Sequence, residues 1–139
     1  MLFPKKVKHR KWQRNRRNMN TLRSASRGIK VDFGSFGLKA LEYGRIKSNQ
    51  IEASRKVLKR SSGKFSKVWI RIFPDRPYTQ KAAEVGMGKG KGDPKGYEVE
   101  VYPGRILFEV DGVGEKTAKE ALRKAGTKMP VKTKIVARD

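Results

Sequence analysis

Gly86, Gly88, Gly90 and Gly92 alternate with Met87, Lys89 and Lys91, so two ammonium groups ride on a backbone almost free of side-chain bulk. Glycine has no Cβ and opens positive φ, which disfavours such a run inside a helix or strand and suits a projecting loop. A backbone this bare can come very close to a partner, and the lysines favour a partner made of phosphates. Composition alone also fits a flexible linker, so the surroundings must decide. A Walker loop is ruled out, because position 91, five after Gly86, is lysine where a glycine is needed. The dinucleotide pattern fails as well, since residues 91, 93 and 95 are not glycine. No helical pattern follows directly to offer its N-terminus to a phosphate.

Groups for acid–base or metal chemistry are scarce. His9 is the single histidine and sits among cations, where a phosphate contact suits it better than general-base work. Glu98 and Glu100 fall on one face of a predicted strand, but no third acidic ligand lies near them, so a solvated strand face is expected. Asp75 belongs to a turn, Pro74-Asp75-Arg76-Pro77, whose chemistry accounts for it. No enzymatic activity, metal or cofactor is expected. The chain has no cysteine, which excludes disulfides and thiolate metal sites and is compatible with a reducing compartment.

Charge is the dominant property. Over 139 residues there are 35 Lys and Arg against 13 Asp and Glu, a net charge of +22. A free chain this cationic repels itself, so a stable free homo-oligomer is not expected, and the charge reads as the complement of a polyanion. No acidic residue precedes Asp32, and residues 1–31 hold 11 of the basic ones. No apolar run approaches the roughly 18 residues of a membrane span, and Pro4-Lys5-Lys6 follows Met1 too closely for a secretory signal.

These groups need elements to position them. Residues 1–28 read as an extended basic arm and 29–139 as one α+β domain. In the arm, Trp12 lies among Lys8, Arg10, Lys11, Arg14, Arg16 and Arg17, where its ring can stack on a base or anchor onto the body. Ile29, Val31 and Phe33 alternate with Lys30 and Asp32 as in a half-buried strand. A turn at 34–37 then leads to a strand over 38–43. A helix is predicted over 48–60, capped by Ser48 or Asn49 with Glu52, and buried through Ile51, Ser54, Val57 and Leu58. Its other side carries Arg55, Lys56, Lys59 and Arg60, whose position near the C-terminus also suits the helix dipole. Strands follow at 67–73 and, as a hairpin about Pro103-Gly104, at 97–102 and 105–110. A second helix over 115–125 presents Ala118, Ala121, Leu122 and Ala125 on one narrow face and stops at Gly126; a last strand runs over 131–137. The elements do not alternate as βαβ units, which favours a mostly antiparallel sheet sandwich carrying two helices.

Read in order, several segments are similar to the bacterial large-subunit ribosomal protein numbered sixteen. They are Pro4-Lys5-Lys6-Val7-Lys8 with Arg10-Lys11, Phe33-Gly34-Ser35-Phe36-Gly37-Leu38-Lys39-Ala40 and Gln50-Ile51-Glu52-Ala53. Lys67 through Asp75, Met87 through Gly92 and Met129 through Lys134 continue the likeness to the end. The resemblance implies an α+β, non-catalytic protein of the large subunit, bound to large-subunit rRNA near aminoacyl-tRNA and neighbouring proteins, and needed for subunit maturation. It gives Met87, Gly88, Lys89, Gly90, Lys91 and Gly92 to a loop at the tRNA site, and Lys5 through Arg17 to an arm in RNA. With Arg55, Lys56, Lys59 and Arg60, Arg71 and Lys81 complete the candidate RNA contacts. Gly86 departs from the family's usual arginine, and 15–26 and 61–66 are longer than usual. The expected location is the ribosome in the cytoplasm, an organellar ribosome being the other setting left open. The alternative is a general nucleic-acid-binding module outside the ribosome.

Overall fold

The computed structural model describes residues 1–13, 17–18, 21–80, 88 and 90–139. Seven strands and two helices are found among them: β1 (Phe36–Ala40), β2 (Gly44–Lys47), α1 (Ser48–Ser62), β3 (Lys67–Ile70), β4 (Arg76–Gln80), β5 (Asp93–Val101), β6 (Ile106–Asp111), α2 (Glu115–Gly126) and β7 (Thr133–Ala137). The strands form two antiparallel sheets, a four-stranded one in the order β3-β6-β1-β7 and a three-stranded one in the order β2-β5-β4. The α+β class read from the element pattern is what the molecule has.

Strand β6 explains the larger sheet. Ile106, Leu107, Phe108 and Val110 are apolar almost without interruption, so the strand needs cover on both faces and neighbours on both sides. It lies between β3 and β1, and all four side chains are buried. Helix α2 supplies part of the cover through Ala118, Ala121, Leu122 and Ala125, the face read from sequence. That face meets α1 as well as β1 and β7, and its small residues let the two helices approach closely. Ser54 of α1 uses the proximity, donating from Oγ to the Ala125 carbonyl at 3.1 Å. Ile51 and Leu58 of α1 are fully buried in the same core, and side chains of this size contribute about 1.5–3 kcal/mol each.

Several predicted boundaries are corrected. Residues 29–33 form no strand: the Phe33 N–H and the Lys30 carbonyl are taken by the side chains of Glu109 and Arg71 instead of by the backbone of a neighbouring strand. The predicted hairpin at 97–110 is not one either: β5 pairs with β2 and β4, β6 with β3 and β1, and Pro103-Gly104 carries the chain from one sheet to the other. A tight-turn signal shows where the chain reverses, not which edge the next strand takes. Arg76 and Pro77, read as turn, open β4 opposite Glu98 and Tyr97. The first sheet strand begins at Phe36, inside the predicted turn, and the 67–73 strand closes its ladder at Ile70.

Helix ends differ for local reasons. α1 is entered through Lys47, whose N–H donates to Gln50 Oε1 at 2.8 Å, so Gln50 takes the part expected of Glu52. Glu52 bonds Arg55 instead. The helix runs on to Ser62 before Gly63 ends it, and Ser62 takes the buried place along the stripe while Val57 is only half-buried. Gly126 does not stop α2 but forms its last residue. It is required because a Cβ there would meet Thr133 Oγ1 at 2.6 Å, where the helix end crosses β7.

Candidate nucleic-acid interface

The arm lies against the three-stranded sheet. Trp12 is 43% exposed, and its ring lies under the Arg76 guanidinium at 5.4 Å. Arg76 also donates to the Gln13 carbonyl. Of the two roles open to Trp12, the anchoring one is therefore occupied. Further along, Arg17 donates to Glu100 Oε2 at 3.2 Å, and Arg23 lies over the Tyr102 ring at 4.5 Å. At the other end of the arm, Leu2 packs on the core and its carbonyl accepts from Ser48 Oγ at the start of α1.

Glu100 is the hub of this joint. Its Oε1 receives Arg76 at 2.6 Å and Arg45 at 3.4 Å, while Oε2 receives Arg17 and lies 3.5 Å from the Tyr102 hydroxyl. Arg45 reaches Glu98 as well, at 3.9 Å. Register explains the gathering, because Arg45 on β2 stands opposite Glu100 and Arg76 on β4 stands opposite Glu98. Glu98 is buried and Glu100 largely so; this strand face is ion-paired, not solvated as the sequence suggested. Glu100 holds Arg17 above the ordinary guanidinium value, first by hydrogen bond and then by charge.

The glycine–lysine loop meets the arm here. Lys11 Nζ donates to the Lys91 carbonyl at 3.2 Å, and Lys91 Nζ donates to the Trp12 carbonyl. The arm and the end of the loop thus exchange two bonds across about 80 residues of sequence. Gly88 and Gly90 have φ of 98° and 88°, the left-handed values that glycine permits, with nothing within 4 Å of where a Cβ would stand. Met87, Lys89, Arg14, Arg16 and Lys81 lie outside the described residues, as does Gly86. Lys5, Lys6, Lys8, His9 and Arg10 are exposed along the arm.

The α1 cations divide into two kinds. Arg55 is tied to Glu52 one turn back, and Lys59 Nζ donates to Ser66. Lys56 and Arg60 are exposed with no hydrogen bond or ion pair among the described residues. With Gly63 and Lys64, these four cations line a shallow concavity of about 430 Å³ that has no acidic residue in its wall.

Arg71, named with the RNA contacts, is committed elsewhere. Its guanidinium pairs with Glu109, lies 3.5 Å from Asp32, donates to the Lys30 carbonyl at 3.2 Å and covers the Phe33 ring at 4.9 Å. Glu109 is fully buried and also accepts the N–H groups of Phe33 and Gly34, each at 2.8 Å. Burial pushes this carboxyl up, but the Gly34 N–H, Arg71, and the Phe33 and Asp32 backbone together hold it below its ordinary value. Sequence reasoning missed Glu109 because it sits in an apolar run; its only signal is that a charge there must be paired. It also missed Arg45, Arg76 and Arg105. Arg105 donates to the Arg71 carbonyl at 2.9 Å, and burial followed by Arg71 lowers it below the ordinary guanidinium value.

Among the described residues no group of three or more His, Cys, Asp or Glu is placed to hold a metal ion, and no helix is long and apolar enough to cross a membrane. The arrangement is suited to binding phosphates along an exposed basic surface braced from within by two acidic hubs.

Comparison with known proteins agrees in extent. The family model described as Ribosomal protein L16p/L10e matches residues 4–136. The large ribosomal subunit protein uL16 of Sulfurihydrogenibium sp. (strain YO3AOP1) is 54% identical over 136 residues, covering 98% of this chain and 96% of that protein. With a match that runs from the arm through the last strand, the chain belongs to the ribosomal protein L16p/L10e family.

Proposed function

We propose that the chain is a structural, non-catalytic constituent of the large ribosomal subunit that binds large-subunit rRNA. Its arm, residues 1–28, and its glycine–lysine loop reach RNA together near aminoacyl-tRNA, and it acts in subunit assembly beside neighbouring large-subunit proteins. The observation that carries this reading is the lacing of Lys11 and Trp12 to Lys91, which brings the most cationic segment and the end of the glycine–lysine run together against the three-stranded sheet. The 54% identical relative is named as a large ribosomal subunit protein, which supports the setting. A net charge of +22 gives the chain little reason to persist free of a polyanion.

Phosphate neutralisation supplies most of the affinity, and the shape of folded RNA supplies the selectivity. A tagged chain is expected to sediment with large subunits through a moderate-salt wash; recovery only in free fractions overturns the assignment. With about six phosphates contacted, affinity for large-subunit rRNA falls on the order of a thousandfold between 50 and 200 mM salt. Equal affinity for duplex DNA and for that rRNA would instead indicate a general nucleic-acid-binding module.

A further inference from the structure

The turn between α1 and β3 holds an aromatic ring out in solvent. Phe65 is 86% exposed, more than any other large apolar side chain among the described residues. Its backbone is nonetheless firmly braced. Gly63 ends α1 at φ 95°, with its N–H bonded to the Lys59 carbonyl at 3.1 Å. Ser66 is buried, its Oγ 2.7 Å from both Ser62 Oγ and the Gly63 carbonyl, and Lys59 reaches its carbonyl and hydroxyl. From the other side Gly112 lies so close that a Cβ there would meet the Phe65 carbonyl at 2.9 Å. Nothing in the core gains from this ring, yet the frame beneath it is fixed.

The turn also borders the basic concavity at the end of α1. Lys64 adjoins Phe65 and lines that concavity with Lys56 and Arg60. All three are exposed and have no hydrogen bond or ion pair among the described residues, whereas Arg55 and Lys59 already serve Glu52 and Ser66. We propose that this corner is a second RNA contact: Phe65 stacks on an unpaired base, and Lys56, Arg60 and Lys64 hold the phosphates beside it. The occupant is RNA because the wall carries cations and no carboxylate, and an aromatic ring stacks on the face of any base. The inference rests on the rRNA-binding reading and deepens it by naming a site apart from the arm and loop.

The two kinds of contact leave different signatures in binding of the full chain to large-subunit rRNA, measured from 50 to 200 mM KCl. Phe65→Ala is expected to weaken binding about 5- to 100-fold with no change in the slope of affinity against salt, because stacking releases no counterion. Phe65→Trp should restore affinity, and Phe65→Leu should not. Replacing Lys56, Arg60 and Lys64 together by alanine should lower the slope by about two to three. With benzoylphenylalanine at position 65, photocrosslinking in assembled subunits should mark an rRNA nucleotide. Binding by Phe65→Ala equal to the unsubstituted chain, full rescue by leucine, a crosslink to protein alone, or a lowered unfolding midpoint in Phe65→Ala would each overturn the inference. If the unsubstituted chain shows no preference for large-subunit rRNA, the ribosomal reading falls and this inference with it. If that preference stands while Phe65→Ala is silent, only the stacking site is lost.

Discussion

Glu109 in the four-stranded sheet and Glu100 in the three-stranded one both pair with arginines, and they do different work. Glu109 sits in the middle of β6, fully buried, and bonds Arg71 together with two backbone N–H groups of the segment before β1. Glu100 lies on β5 with its side chain 13% exposed, and bonds Arg45 and Arg76 from its own sheet and Arg17 from the arm. The first carboxylate closes the fold upon itself. The second joins the fold to a basic segment that has little core of its own. The contrast teaches that acidic residues in a cationic chain need not weaken its electrostatics. Placed inside or at a joint, they absorb repulsion between arginines and leave the outer lysines to the partner.

The strongest way to break the comparison is Glu109→Ala. It leaves the buried Gly34 N–H without its acceptor. It also takes the nearest acceptor from the partly buried Phe33 N–H and from Arg71, which keeps Asp32 and the Lys30 carbonyl. A loss of about 3 kcal/mol in urea unfolding is expected. A loss under about 1 kcal/mol would mean the two hubs are alike. Next comes pH. Because Glu109 is held below its ordinary value of 4.5, its contribution is present above that pH and is lost as pH falls toward the lowered folded value. Unfolding midpoints should therefore drop as the pH falls below 4.5, and Glu109→Gln should flatten that limb. An unchanged limb would assign it to other carboxylates.

Glu100→Gln is expected to act on the arm more than on the body. Trypsin cleavage at Lys5 through Lys11, followed by mass spectrometry, should speed by about two- to fivefold. Cleavage at the unsubstituted rate would show that Trp12 and Lys91 hold the arm without Glu100. The smallest effect is that of salt. Raising KCl to 0.5 M shortens the screening length to a few ångströms, so it should quicken arm cleavage slightly. The unfolding midpoint of the body, whose own cationic repulsion is screened at the same time, should not fall. Equal sensitivity in both readouts would erase the distinction drawn between the hubs.

How much of this was legible beforehand varies with the physics involved. Helix faces could be read closely, since Ile51, Ser54 and Leu58 in α1 and all four positions in α2 follow from a 3.6-residue repeat that depends only on neighbours. Strand partners could not. The period of Ile29, Val31 and Phe33 is that of a strand, but a ladder needs backbone partners, and here the side chains of Glu109 and Arg71 take the Phe33 N–H and the Lys30 carbonyl. Basic residues could be picked as candidates and not sorted. Arg71 and Lys91 look equally free in a list of cations, yet Arg71 is closed in beside Glu109 and Lys91 is tied to the arm.

By itself, the sequence determined the cationic excess, the α+β class, the two helical faces and the bareness of the glycine–lysine run. Each of these follows from composition or from spacing within a few residues. Only the tertiary structure decided that β5 and β6 part at Pro103-Gly104, that Glu100 and Glu109 become hubs, and that Lys11 and Lys91 meet. These are contacts between residues far apart in the chain. Which of them form depends on which strand edges and core faces remain open once the others are filled, a competition that no local pattern records.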